Sequence, residues 1–563
     1  MTPLRTTRPD PSTAAMTPLQ PLPTDLHRRV AELLVVRASG HLTDEQRRWP
    51  RWELDNANLQ RLLAEGVGGV ILLGGSAAEL RLRTGQLQAW AGDRSLLLCA
   101  DVEEGVGQRF EGASWLVPPL AVGRLHARDP QAALEAAERY GRCTGREARA
   151  VGLNWVLGPV CDVNNNPANP VINVRAWGED PATAGALAAA FCRGLQAEGV
   201  LGCAKHFPGH GDTDADSHLE LPLLPHDRAR LEAIELPPFR AAIEAGVAAV
   251  MTAHLLLPAL DPVRPATLSS AVLTNLLREE LGFGGLVVTD ALVMEAITGR
   301  WGAGEAAVLA LEAGADLVLM PADADEALEA IVAAVEAGRL GMERIEAAQE
   351  RRRQALTTVA PPEITSLSAP LGPLSSGPDP ADRQLGIQLV RTGLERQGGR
   401  VELPASGGVN LVRVDTALIC PFLGASAPAL TLPEAAGFRG CLLEGRSPSP
   451  WRGAAEDPAA PLALERLGCG PILLQLFVRG NPFRGSAGGG QEPWAAAVTQ
   501  LLATGRLAGL AVYGSPYLWE ALKPLLPADL PAGWSPGQMP LAQAELLGML
   551  GLGEGCGEGG FTD

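Results

Sequence analysis

The sequence predicts an α/β protein in which an N-terminal (β/α)8, TIM-like barrel precedes a smaller C-terminal α/β domain. Short apolar runs recur along the first part of the chain, and several of them end in polar residues. Stretches rich in Ala, Leu, Glu and Arg, with helical periodicity, lie between most of these runs. Strands that alternate with helices form a parallel sheet, and a barrel of this kind takes about 330 residues here. An open, doubly wound sheet is the alternative architecture.

The elements of the predicted barrel can be placed in order. Residues 26–36 have helical periodicity, and an eighth strand is expected near the start, where no clear run marks it. The seven apolar runs that we expect to be strands are 67–74, 96–101, 154–163, 199–205, 248–254, 285–290 and 316–320. Because parallel strands end at one rim, the polar residues at the ends of these runs should lie together there: Asp101, Asp162, Lys205, His254 and Asp290.

Proline-rich stretches divide the chain. Residues 1–25 are rich in proline and are expected to be a disordered leader. They lack the apolar core of a signal peptide. Residues 26–356 form the predicted barrel, and residues 357–382, rich in proline, form a linker. Residues 383–563 form the second α/β domain, with buried strands expected at 409–414, 471–479 and 507–514.

Composition excludes several classes of protein. A net charge of −18 argues against nucleic acid as a partner, and no apolar run is long enough to predict a membrane span. The nine cysteines are an odd, scattered set, which is typical of reduced thiols rather than of a disulfide framework. We therefore expect a soluble cytoplasmic protein with a small-molecule partner; the sequence makes no prediction of oligomeric state.

The stretch 204–221, AKHFPGHGDTDADSHLEL, carries the densest chemistry in the chain. Pro208 and Gly209 forbid a helix, so the stretch should be a shaped loop that leaves the end of a buried strand. Fourteen of its residues, 205–218, contain seven ionisable side chains: Lys205, His206, His210, Asp212, Asp214, Asp216 and His218. Active sites of parallel α/β folds lie at this position, so we expect the site here.

Lysine is rare in this chain, which draws attention to the one in the loop. The sequence has 46 Lys and Arg residues, of which only Lys205 and Lys523 are lysines. A bias towards arginine codons explains the scarcity. A lysine that persists under such a bias indicates a place where a planar guanidinium does not fit, so Lys205 is predicted to contact a small polar ligand.

Two metal sites are considered and not favoured. The run from Asp212 imitates the start of an EF-hand loop, but Ser217 and Leu223 stand where that loop needs glycine and glutamate. His206 and His210 have the spacing of a helical zinc motif, yet the intervening proline and glycine prevent a shared helix face. We predict neither a metal nor another cofactor.

Acid–base chemistry suits the loop better. Asp216 lies two residues before His218 and can hold its imidazole in one tautomer. Such a pair needs a partner that attacks the substrate, and Asp290, at the end of a predicted strand, is well placed for that role. From spacing alone, Asp290 is as well explained as the N-cap of a following helix.

Five segments, in order, resemble glycoside hydrolase family 3, and specifically its β-N-acetylglucosaminidase branch. They are DVEEGVGQR at 101–109, LGPVCDVNNNPANPVINVRAWGED at 157–180, KHFPGHGDTDADSH at 205–218, MTAH at 251–254 and VTDAL at 288–292. The resemblance covers about residues 27–355, and the linker with its second domain is similar to the longer members. Val102, Glu104 and Val106 depart from the family's usual Gln, Gly and Arg.

The resemblance implies a retaining exo-β-N-acetylglucosaminidase that acts on cell-wall muropeptide or chitooligosaccharide fragments. It implies that Asp290 is the nucleophile and that His218, oriented by Asp216, is the general acid and base. It implies that the sugar is held by Asp101, Arg109, Arg175, Lys205 and His206. Two rival functions remain: a β-N-acetylglucosaminide phosphorylase with the same His/Asp pair, and a non-catalytic carbohydrate-binding protein.

Overall fold

The computed structural model describes residues 25–213, 221–360, 379–402, 407–414, 420–444, 451–452, 458–479 and 492–553. Eight parallel strands come first in the chain: β1 Leu34–Ser39, β2 Gly69–Leu73, β3 Leu97–Ala100, β4 Trp155–Val156, β5 Cys203–Phe207, β6 Ala249–Thr252, β7 Leu286–Val288 and β8 Val318–Leu319. They form a five-stranded sheet in the order β4-β3-β2-β1-β8 and a three-stranded sheet in the order β5-β6-β7.

Isolated parallel bridges join the two sheets into a closed barrel. Trp155 of β4 bridges to Leu201 just before β5, and Val288 of β7 bridges to Leu317 just before β8. Every strand therefore has a parallel neighbour on each side, in chain order around the ring. The (β/α)8 prediction is confirmed, and the carboxyl ends of the strands meet at one rim.

Helices surround this barrel. They are α1 Leu26–Ala31, α2 Asn56–Glu65, α3 Ala77–Ala91, α4 Pro119–His126, α5 Pro130–Ala150, α6 Pro181–Gln196, α7 Arg228–Arg230, α8 Pro237–Glu244, α9 Glu295–Trp301, α10 Ala303–Ala313, α11 Ala324–Glu336 and α12 Met342–Thr358, with π-helical turns at Leu231–Glu235 and Ala271–Glu280. Their apolar faces and the outward faces of the strands form one continuous core. None of the described helices is long and apolar enough to cross a membrane.

The first strand lies where a helix was predicted. The helix that begins at Leu26 ends at Ala31, and β1 follows from Leu34. Val35 of this strand faces the barrel interior, whereas Leu34 and Val36 face the helices. Because a barrel strand is buried on both faces, its sequence is continuously apolar and blends into the apolar face of the preceding helix.

The second domain is a smaller α/β unit. Its sheet has the order β11-β10-β12-β13-β14-β9, all parallel except the edge strand β9. The strands are β9 Glu395–Gln397, β10 Gly408–Val414, β11 Phe438–Glu444, β12 Ile472–Val478, β13 Leu507–Gly514 and β14 Ala532–Ser535. The helices are α13 Pro380–Gly393, α14 Pro428–Ala435, α15 Trp494–Ala503, α16 Pro516–Leu522 and α17 Pro540–Met549. The three predicted strands correspond to β10, β12 and β13; β9, β11 and β14 were not predicted.

The two domains are in direct contact. Leu385 and Leu389 of α13 belong to the same apolar core as the barrel helices. Next to the rim, the hydroxyl of Tyr517, which follows β13, contacts Asn164 at 2.5 Å and Glu179 at 2.6 Å. The start of α16, at the carboxyl end of the second sheet, therefore reaches the loops at the carboxyl end of the barrel.

Candidate active site

Residues 101–109, which we call the acidic segment, follow β3 and form one side of the rim. Asp101 follows the last residue of β3 directly, and its side chain is 36% exposed. Glu103, two residues further on, is buried instead. Nε of Arg109 donates to the carbonyl oxygen of Asp101 at 3.0 Å, so the exposed Arg109 turns back over the start of the segment.

Lys205 on β5 is held between two carboxylates of this segment. Its Nζ lies 2.6 Å from Oδ1 of Asp101 and 2.7 Å from Oε1 of Glu103. Burial alone would lower the pKa of Lys205, but the two carboxylates outweigh it and raise that pKa to about 12. Lys205 is therefore a fixed ammonium ion whose own side chain is nearly closed to water.

Glu103 joins Lys205 to the predicted sugar-binding residue Arg175. Nε of Arg175 donates to Oε2 of Glu103 and its second terminal nitrogen donates to Oε1, both at 2.8 Å. Burial would raise the pKa of Glu103, but Arg175 and Lys205 together hold it well below its usual value. The ion pair is bidentate and charge-assisted, so its geometry is fixed as well as its charge.

Asp162 organises the two histidines of the loop after β5. Its Oδ2 accepts from Nδ1 of His206 at 2.7 Å, and its Oδ1 accepts from the backbone nitrogen of His210 at 2.7 Å. Because a carboxylate only accepts, Nδ1 of His206 carries a proton and donates it to Asp162. His210 is buried against Thr213, and burial lowers its pKa to about 4, so it is a neutral support of the loop.

Asp290 lies on the rim at the end of β7. Its backbone nitrogen donates to Oγ1 of Thr252 at 3.3 Å, and its Oδ1 accepts from the nitrogen of Ala291 at 2.7 Å. The next helix begins at Glu295 after Met294, with no side-chain cap. The helix-cap explanation of Asp290 is therefore wrong, and its half-buried carboxylate belongs to the rim.

His254 supports the turn that carries Asp290. It is fully buried, with Nδ1 2.8 Å from Oγ1 of Thr267 and Nε2 3.1 Å from the carbonyl oxygen of Ala291. Thr267 also lies 2.8 Å from Oγ1 of Thr252. The histidine therefore acts on Asp290 through the backbone and through this hydroxyl pair.

Two predicted residues, Asp216 and His218, lie outside the described residues, as does Asp214. Asp212 is described, and its carboxylate binds His226 at 2.9 Å and Arg230 at 3.1 Å. The structure thus brings together Asp101, Arg109 and Lys205 through direct contacts, and it joins Arg175 to them through Glu103. It places His206 on β5 and Asp290 two residues after the end of β7, at the same rim.

Glu103 was not predicted as a site residue, and Asp162 was predicted only as a rim residue. Glu103 lies within the quoted segment at 101–109, but a run of two glutamates is usually a solvated face. The signal for Asp162 was its position at the end of an apolar run; its two histidine partners are 44 and 48 residues away in the chain. Trp155 and Trp177 are core residues, fully or almost fully buried.

One cluster in the described part of the chain has the composition of a metal site. The donor atoms of Cys143, Glu147 and Asp382 lie within 4.8 Å of one another where α5 meets α13. Both oxygens of Glu147 accept hydrogen bonds from Ser114, and Asp382 is paired with Arg146. Each carboxylate already has its partners, so we assign no metal to this cluster.

Comparisons with known proteins identify the two domains. Residues 25–354 match the model of the glycosyl hydrolase family 3 N-terminal domain, and residues 403–551 match that of the bacterial glycosyl hydrolase family 3 C-terminal domain. A beta-hexosaminidase of Stenotrophomonas maltophilia is 38% identical over 304 residues, which are 53% of this chain and 86% of that protein. Beta-hexosaminidase A of Pseudoalteromonas piscicida is 32% identical over 378 residues, 62% of each chain.

A solved structure extends the similarity to both domains. The glycoside hydrolase family 3 β-N-acetylglucosaminidase of Paenibacillus sp. FPU-7 superposes with a TM-score of 0.73 at 30% identity, over 94% of this chain and 97% of its own. The chain belongs to glycoside hydrolase family 3.

Proposed function

We propose that this chain is an exo-β-N-acetylglucosaminidase that hydrolyses terminal β-linked N-acetylglucosamine with retention of configuration. The main support for this proposal is the network of charged residues on the rim, which also bears the half-buried Asp290. The network consists of Asp101, Glu103, Lys205 and Arg175. Such a rim offers fixed charges that bind hydroxyl groups and a carboxylate that attacks an anomeric carbon. The relatives named beta-hexosaminidase and β-N-acetylglucosaminidase support this choice of sugar.

In this proposal the sugar lies against the acidic segment. Asp101 is exposed enough to accept from sugar hydroxyls, and Arg109 lies beside it as a donor. An ammonium group has three donors, and Nζ of Lys205 directs two of them to Asp101 and Glu103. The third is then available to a hydroxyl of the sugar. His206, with Nδ1 bound to Asp162, presents Nε2 to the sugar.

The reaction has two steps. Asp290 attacks the anomeric carbon, and the bond to the leaving oxygen breaks as His218 delivers a proton to that oxygen. The product is a glycosyl ester on Asp290. His218 then takes a proton from water, whose oxygen displaces Asp290 from the anomeric carbon, so two inversions give net retention. Asp216 orients His218 in both steps. The roles of Asp216 and His218 come from the sequence alone.

The rim beside Arg109 favours an acidic leaving group. Trp49 and Trp52, in the loop after β1, have ring centroids 5.9 Å apart. Cζ of Arg48 lies 5.9 Å from the ring centroid of Trp49, and Cζ of Arg51 lies 5.9 Å from that of Trp52. No ion pair of Arg48 or Arg51 occurs within the described residues. Burial lowers the pKa of Arg48; the nearby carboxylate of Glu53 opposes this shift, and the positive charge of Arg109 adds to it, which indicates that the guanidinium groups of Arg48 and Arg109 are neighbours. Indole faces bind sugar rings and guanidinium groups bind carboxylates, which suits a muropeptide better than a neutral chitooligosaccharide.

A role in peptidoglycan recycling and a cytoplasmic location complete the proposal. They rest on this choice of leaving group and on the eight described cysteines, all of which are free thiols.

The activity is tested with purified protein and two natural-type substrates, a disaccharide of N-acetylglucosamine with anhydro-N-acetylmuramic acid and chitobiose. Product analysis by NMR in buffers with and without phosphate should show free N-acetylglucosamine in the β-configuration first. Sugar 1-phosphate as the main product would establish the phosphorylase instead, and binding without turnover would establish a carbohydrate-binding protein. The Arg48→Ala/Arg51→Ala double variant should raise KM for the acidic substrate while leaving chitobiose unchanged.

A further inference from the structure

An ion pair joins the second domain to the acidic segment of the first domain. Arg479 directly follows β12 at its carboxyl end, and its guanidinium pairs with Oε1 of Glu104. The side chain of Glu104 is only 2% exposed, whereas that of Arg479 is 22% exposed. The other carboxylate oxygen of Glu104 accepts from Nε1 of Trp115 at 2.9 Å. A charge buried to this extent needs partners, because water does not solvate it.

Glu104 adjoins the residue that orders the sugar site. Glu103 carries the contacts to Lys205 and Arg175, so the two consecutive side chains face different partners. The backbone of Glu104 is also held, since its carbonyl oxygen accepts from the nitrogen of Leu116 at 2.8 Å. Movement at Glu104 would therefore be transmitted directly to Glu103 and to Lys205.

We propose that Arg479 is a positioning residue of the first domain's site, which it reaches through Glu104. Asp101, Glu103 and Glu104 place three carboxylates within four residues. Lys205 and Arg175 neutralise the first two, and the second domain supplies the cation for the third. The inference rests on the proposed function, and it gives the second domain a part in that function.

The consequence of losing Arg479 follows from burial. Glu104 would be left as an unpaired charge next to Glu103, and the segment would relieve this by moving Glu104 towards water. Asp101 and Glu103 would then leave their positions against Lys205. A displacement of about 1 Å in groups that hold a substrate can cost on the order of 100-fold in rate. Trp115, which contacts Phe422 of the second domain edge-on at 6.5 Å, gives the segment a second support.

Three variants of the full chain test the proposal: Arg479→Ala, Glu104→Gln and the double variant. With 4-nitrophenyl N-acetyl-β-D-glucosaminide, Arg479→Ala should lower kcat/KM by about 10- to 100-fold. Glu104→Gln keeps the shape and removes the charge, so its loss should be smaller. The double variant should return to within about threefold of Glu104→Gln, because no charge is left to neutralise. Arg139→Ala is the control and should match wild type. It removes a hydrogen bond between the domains, from Arg139 on α5 to Gln388 on α13.

Other results would overturn the proposal. One is a wild-type kcat/KM in Arg479→Ala. Another is a loss of kcat/KM in the double variant as large as in Arg479→Ala. Either result would make Arg479 a structural contact only. Affinity for N-acetylglucosamine, measured by calorimetry across the same series, separates this failure from that of the proposed function. If wild type binds the sugar without turnover, the hydrolase proposal fails and the affinity series still decides the role of Arg479. If wild type neither binds nor turns over, both proposals fail.

Discussion

Glu103 and Arg175 form a two-pronged ion pair, with both nitrogen–oxygen distances at 2.8 Å, in the interior of the acidic segment. Oε1 of Glu103 also lies 2.7 Å from Nζ of Lys205. One buried carboxylate therefore orders two cations, and those cations are two of the predicted sugar-binding residues. The sugar site depends on Glu103 even if Glu103 never touches the sugar.

Glu103→Gln should lower both stability and activity. Removing one partner of a buried ion pair typically costs about 3 kcal/mol or more, because the remaining charges lose their counter-ion. The pKa of Glu103 is held below its ordinary value of 4.5, so its contribution is complete above that pH and is lost as the pH falls through the lowered pKa. Urea unfolding should show the largest difference from wild type at pH 7 and a shrinking one below pH 4.5. The exposed Glu111→Gln is the control; equal effects of the two changes would contradict the assignment.

His210 should make the protein less stable in mild acid. Burial lowers its pKa from 6.5 to about 4, so the unfolded chain binds a proton between these values that the folded chain does not. Stability is therefore complete above pH 6.5 and falls towards pH 4, by about 3 kcal/mol for this group. Unfolding free energies at pH 4.5, 5.5 and 6.5 measure the slope. His210→Asn should flatten it, and an unchanged slope in that variant would mean that other groups cause it.

Much of the fold was predictable because a barrel strand has a simple signature. Its interior and exterior faces are both buried, so β2 to β8 appear as short apolar runs between helices. The same property concealed β1, whose Leu34 and Val36 continue the apolar pattern of α1. The ends of the runs were sufficient to place Asp101, Lys205 and Asp290 at the rim.

The partners of those residues were less accessible to sequence analysis. Glu103 and Lys205 are 102 positions apart, and Glu104 pairs with Arg479 in another domain. Whether a glutamate is solvated or buried depends on what packs above it, which local sequence does not contain. Sequence analysis found the residues at the ends of strands and missed the carboxylate that orders them.

Asp290→Ala should abolish turnover and leave the fold intact. The side chain lies on the rim, half-buried, and contributes little to the core. Its role as nucleophile is tested by intact mass after reaction of wild type with a 5-fluoro N-acetylglucosaminyl fluoride, followed by peptide mapping. We expect one glycosyl adduct, on Asp290. An adduct on any other residue would refute the assignment.

His218→Ala should affect substrates according to their leaving groups. A nitrophenolate departs without a proton, whereas a sugar alcohol needs one, and general acid assistance is typically worth about 10²- to 10⁴-fold. The variant should therefore lose far more activity on chitobiose than on 4-nitrophenyl N-acetyl-β-D-glucosaminide. Asp216→Asn should show the same pattern in weaker form. Equal losses on the two substrates would give His218 a different role.

Lys205→Arg should be nearly as damaging as Lys205→Ala. Nζ lies between Asp101 at 2.6 Å and Glu103 at 2.7 Å, and the side chain is 2% exposed, so a planar guanidinium has no room there without displacing one carboxylate. The charge is kept but the geometry is lost, and kcat/KM should fall on the order of 100-fold. Lys523→Arg is the matched control, since Lys523 is 46% exposed and its Nζ lies 3.1 Å from the carboxylate of Glu395. If Lys205→Arg retains most of the activity while Lys205→Ala does not, Lys205 acts as a charge alone, and its survival among so many arginines has another cause.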